Sequence, residues 1–102
     1  STFQPLARFP SIKRDLAVVL RQDIGAAEVI EQIRQADLEI IESVELFDLY
    51  QGDQVAAGHK SLAFSLCLRS PEKTLEDAQA NAVIDKALNR LKKVFDADLR
   101  LS

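Results

Sequence analysis

The sequence predicts an α+β fold in which a four-stranded antiparallel sheet carries two helices on one face, in the order strand, helix, strand, strand, helix, strand. Three observations predict it. Apolar residues alternate with period two at residues 14–21 and 60–69, and they recur with helical period after Asp23 and after Thr74. At 102 residues, 47% hydrophobic and 28% charged, the chain suits one domain, 1–102, built around a single core.

The first strand is RDLAVVLR at 14–21, with Leu16, Val18 and Leu20 on the core side and Asp15, Ala17 and Val19 opposite. Phe9-Pro10-Ser11 before it cannot lie inside a helix and reads as extended. Asp23 offers an N-cap, and Ala26, Val29, Ile30, Ile33 and Ala36 then form the apolar stripe of the first helix. Residues 39–50, EIIESVELFDLY, return to strand chemistry with a break in parity. Ile40, Val44 and Leu46 fall on one side, Phe47 and Leu49 on the other, so a bulge or a strand end near Glu45 is expected. With Phe47 and Leu49 in the core, Asp48 and Tyr50 would face outward. QGDQVAAGH is the expected loop.

The third strand, 60–69, places Leu62, Phe64, Leu66 and Leu68 inward and the small residues Ser61, Ala63, Ser65 and Cys67 outward. Ser70-Pro71 ends it. Thr74 with Asp77 is the expected capping box of the second helix, whose stripe is Ala80, Ile84, Ala87, Leu88, Leu91 and Phe95. Residues 97–101 supply a short last strand. This order is the split βαβ of ferredoxin-like folds, in which the first and third strands are central. Ala17, Val19, Ser61, Ala63 and Ser65 would then meet on the helix-free face.

Composition excludes several chemistries. One cysteine, Cys67, cannot form an internal disulfide, an iron–sulfur cluster or a four-cysteine zinc site, and it suits a reducing compartment. One histidine, His59, in an expected loop, gives no triad. Three glycines form no phosphate cradle. No apolar run reaches membrane length, and the first ten residues lack the apolar centre of a signal peptide, so a cytoplasmic protein is expected. The net charge of −3 argues against RNA binding by bulk charge. Its distribution is uneven, however: four bases and one acid between Arg8 and Arg21, eight acids and one base between Glu28 and Asp53.

Asp48 and Tyr50, two apart on a strand, are the most informative pair. A tyrosine on an open sheet can stack on a base, and a carboxylate can accept from a base's amino group. An RRM of the usual kind is disfavoured, because the central strands carry small residues where its aromatics would be.

The blocks FPSIKRDLAVVL, LFDLYQG, GHKSLAFSLCLRSPEKTL and the terminal ADLR together resemble the ferredoxin-fold anticodon-binding domain at the carboxyl end of the phenylalanine-tRNA synthetase β subunit. The similarity runs from about Phe9 to Arg100. It implies a noncatalytic module, excised from the carboxyl end of a longer chain, that binds the GAA anticodon of tRNA-Phe on its open sheet. The resemblance places Ala17, Asp48, Tyr50 and Ser61 at the bases. Lys13, Arg14 and Lys60 are added as phosphate contacts on charge and location alone. No cofactor is implied for the domain; ATP and Mg belong to the parent enzyme's catalytic domain. The implied partners are the tRNA-Phe anticodon stem-loop, the other domains and the α subunit of the synthetase, and no membrane. The alternative is a ferredoxin-like regulatory or protein-interaction domain without RNA binding. An acylphosphatase-type enzyme would need a phosphate-cradling loop that ARFPSIKR does not resemble.

Overall fold

A computed structural model describes residues 8–100. The elements are β1 (Ile12–Arg21), α1 (Ala26–Arg34), β2 (Ile41–Tyr50), β3 (His59–Leu68), α2 (Asp77–Phe95) and β4 (Asp98–Leu99). All strand pairs are antiparallel, in the order β2-β3-β1-β4. This is the expected βαββαβ arrangement, with β1 and β3 central. The last strand is shorter than the expected 97–101, of which Leu101 lies outside the described residues.

The two central strands pair over their full length, Ile12 opposite Leu68 through Arg21 opposite His59. Their even-numbered residues enter the core, where Leu16, Val18 and Leu20 meet Leu62, Phe64, Leu66 and Leu68. Val29 and Ile33 of α1 and Ala80, Val83, Ala87 and Leu91 of α2 close the same core from one side. Each large apolar side chain buried there contributes about 1.5–3 kcal/mol. The small alanines of α2 let that helix approach the sheet closely.

Both helix caps differ from the sequence expectation. Asp23 is drawn into a two-point pair with Arg21, at 3.1 and 2.9 Å, so Gly25 is the N-cap of α1 and its N–H donates to the Glu28 carboxylate at 3.1 Å. At α2 the cap is Glu76 rather than Thr74, and the Glu76 N–H donates to the Gln79 side-chain oxygen at 2.9 Å. α2 ends on Asp96, whose φ of 55° reverses the chain so that the Asp96 N–H donates to the Lys92 carbonyl at 2.9 Å. Lys92 then bonds Asp96 at 3.1 Å and Asp98 at 3.0 Å, tying the helix end to β4.

β2 carries two irregularities against β3, one between Ile41 and Ser43 and one between Leu46 and Asp48. The second, at Phe47, lies two residues past the expected bulge. The expectation that Phe47 and Leu49 enter the core is corrected, because they are 57% and 50% exposed. Leu46 is opposite core Phe64, and Leu49 is opposite core Leu62, but both stand at the sheet edge. Phe47 is the extra residue, left without a partner on β3.

Candidate nucleic-acid interface

Among the described residues no helix covers one side of the sheet, and alternation along β1 and β3 makes its floor of small side chains. Ala17 lies opposite Ala63, and Val19 opposite Ser61. The edge strand completes the row: Tyr50 is opposite Ser61, Asp48 opposite Ala63 and Glu45 opposite Ser65. Ala17, Asp48, Tyr50 and Ser61 therefore come together on one surface. Because a bulge directs two consecutive side chains to one side, Phe47 accompanies Asp48 there. Both line a shallow depression of about 530 Å³ with Ala17, Ser61 and Ala63. That depression bends around the edge of β1 to Leu88 of α2, since β4 covers only Val18 and Val19.

One side chain that sequence reasoning assigned no role organises this surface. The Arg100 N–H donates to the Ala17 carbonyl at 2.8 Å, extending the short β4 ladder by one bond. The guanidinium thereby crosses the face of β1. It donates to Ser61 Oγ at 2.9 Å and lies over the Tyr50 ring, 5.3 Å from its centroid, within cation–π range. Ser61 is only 3% exposed beneath it. Arg100 stood in the sequence as the last letter of ADLR, and only the register of β4 shows where it goes. Phe47 was missed for a related reason, the position of the bulge.

The three proposed phosphate contacts separate. Lys13 shares the odd-numbered face with Ala17 and is exposed. Arg14 belongs to the helix side, where its guanidinium reaches Asp77 at the start of α2 at 3.1 Å. Lys60, opposite Leu20, is also on the helix side and is 8% exposed; its charge helps hold the Asp23 carboxyl below its ordinary value, after the larger effect of the Arg21 hydrogen bond. His59 opens β3 instead of lying in the loop, with its ring Nδ1 3.0 Å from the Ala57 carbonyl.

The open face thus presents two aromatic rings, the carboxylates of Asp48, Asp15 and Glu45, and a guanidinium that covers the Ser61 hydroxyl, above a low floor. Such a set can stack a planar heterocycle and address both donors and acceptors on its edge. Among the described residues no group of three or more His, Cys, Asp or Glu is placed to hold a metal ion, and no helix is long and apolar enough to cross a membrane.

The family model of the ferredoxin-fold anticodon binding domain matches residues 7–100. The chain belongs to this family. Similar curated proteins carry the name phenylalanine–tRNA ligase beta subunit. The Pasteurella multocida protein is 46% identical over 95 residues, which is 93% of this chain and 12% of the relative. A Haemophilus influenzae protein is 47% identical over the same length, and one from Geobacillus kaustophilus 41% over 98 residues. The anticodon-binding domain therefore spans about 12% of the length of these relatives. In this domain the four residues singled out by resemblance fall in two adjacent cross-strand rows of the open face, Ala17–Ala63–Asp48 and Val19–Ser61–Tyr50.

Proposed function

We propose that this chain is the tRNA-anticodon-recognition module of a phenylalanine–tRNA ligase β subunit and binds the GAA anticodon on its open sheet. One observation carries the reading. The residues that resemblance places at the bases share a single helix-free surface, and that surface has the low floor, aromatic platform and hydrogen-bonding groups that unstacked bases require. Tyr50 stacks a base, with Phe47 as a second apolar wall. Asp48 accepts from a purine amino group and repels a carbonyl or phosphate oxygen. Arg100 supplies the complementary donors, toward a base acceptor edge or a phosphate, and Ser61 contributes a hydroxyl. Lys13 is the remaining phosphate candidate.

On this reading the chain itself is not a catalyst. Amino-acid activation with ATP and Mg belongs to other domains of such a cytoplasmic ligase, and those domains and its α subunit are the remaining partners. The whole enzyme grips tRNA at several points, so the isolated module binds its hairpin weakly.

Backbone NMR titration of the chain with a tRNA-Phe anticodon hairpin tests this. Shifts are expected at Ala17, Asp48, Tyr50, Ser61 and Arg100. Shifts confined to the helices, or equal binding by a hairpin of unrelated loop sequence, would overturn it. Tyr50→Ala should weaken binding by about 1–3 kcal/mol with the fold intact, whereas Tyr50→Phe should cost little, since stacking needs only the ring.

A further inference from the structure

Tyr50 is the chain's one tyrosine, and its ring is flanked by two different neighbours. Arg100 lies over its face. At its hydroxyl end the chain leaving β2 passes so close at Gly52 that a Cβ added there would stand 2.7 Å from the phenol oxygen and 3.0 Å from Cζ. Ordinary non-bonded contacts between carbon atoms begin near 3.5 Å, so a side chain at this position and the observed ring cannot coexist. Gly58, at the other end of the same loop, is different. Its φ is 78°, and an added Cβ would meet nothing within 4 Å, so glycine there serves the backbone conformation. Gly52 serves the ring.

We propose that Gly52 is a positioning residue for base recognition: by lacking a side chain it lets the Tyr50 phenol lie against the 51–58 loop, which sets the tilt of the stacking platform before RNA arrives. The proposal rests on the RNA reading above and adds to it the element that aims the ring. A tyrosine side chain has only two torsions, and its hydroxyl is the end farthest from the backbone. A methyl at residue 52 is therefore accommodated by swinging the ring, which costs the fold little and the platform much.

A double-mutant cycle tests this, using the 102-residue chain and an anticodon hairpin with a GAA loop. In the Tyr50 background, Gly52→Ala should weaken hairpin binding by about 5- to 10-fold, with melting nearly unchanged. In the Tyr50→Ala background, which removes the whole ring, Cζ as well as the phenol oxygen, the same substitution should cost about 2-fold or less. Any backbone cost at the Gly52 φ of 159° is common to both backgrounds and cancels. Before RNA is added, NOEs between the Tyr50 ring and the Gly52 α-protons should be present in the unmutated chain and the ring shifts should move in Gly52→Ala. Equal losses in both backgrounds, or absence of those NOEs, would overturn the positioning role and leave the RNA reading standing. Failure of the unmutated chain to bind the hairpin would overturn the RNA reading, and the recognition role of Gly52 with it.

Discussion

Phe47 shows how one unpaired residue changes the character of a surface. Parity counted along β2 sends it inward with Leu49, yet the register shift between Leu46 and Asp48 turns it onto the open face. That Asp48 and Tyr50 share a side was legible, because residues two apart on a strand do so whatever precedes them. The site of the bulge was not, because it is decided by pairing to β3, and β2 alone carries no record of that. Arg100 was illegible as a site residue for the same kind of reason. Its position follows from a two-residue ladder and one hydrogen bond to the Ala17 carbonyl. At 57% exposure Phe47 adds little to the core. Phe47→Ala should therefore lower unfolding stability by less than about 1 kcal/mol, against about 3–5 for a buried phenylalanine such as Phe64, while weakening the hairpin several-fold. Chemical denaturation and hairpin titration of the two alanine variants would separate these effects.

At the scale of elements, side-chain pairs decide where strands and helices begin. Arg21 captures Asp23 and so moves the α1 cap to Gly25, an outcome that local cap preference does not encode. Periodicity nevertheless gave both helices and both central strands to within a few residues, because burial of one stripe or one face dominates cap chemistry. Ahead of β1 the chain is fastened by Arg69, which donates to the Phe9 carbonyl at 2.7 Å and to Glu42 at 2.6 Å. The Arg69 hydrogen bond, more than its charge or that of Arg8, holds the Glu42 carboxyl below its ordinary 4.5. A carboxyl depressed in the folded state stabilises fully above its unfolded value and loses that contribution as pH falls through the folded one. NMR titration of Glu42 should give a midpoint below 4.5, and Arg69→Gln should raise it toward that value. A midpoint at or above 4.5 in the unmutated chain would show that this clasp does not persist in solution. The pair is solvated, so melting should change little between the two forms.

For the whole molecule, the segregation of charge read from the sequence takes a definite form. Acids of α1 such as Glu28 and Glu31 lie on the helix, behind the sheet, but Asp15, Glu45 and Asp48 share the open face with Lys13 and Arg100. That face is close to neutral, so on the proposed reading phosphates would not be its main source of affinity. With about two phosphates neutralised, the logarithm of hairpin affinity should fall with the logarithm of salt at a slope near −1.4, at about −0.7 per contact on single strands. A slope steeper than about −4 in fluorescence anisotropy would mean that a basic surface elsewhere carries the RNA. Stacking and edge recognition, the contributions that salt barely touches, would then have been overrated. The brevity of β4 bears on the same balance. On the proposed reading, the guanidinium that covers Tyr50 is held by a two-residue ladder at the sheet edge, so a base competing for the ring would work against local displacement of that ladder and not against global unfolding. The apparent dissociation constant would then be the intrinsic one divided by the fraction of molecules with the ring uncovered, so substitutions at Asp98 or Leu99 that tighten or loosen the ladder would tune affinity through the placement of Arg100.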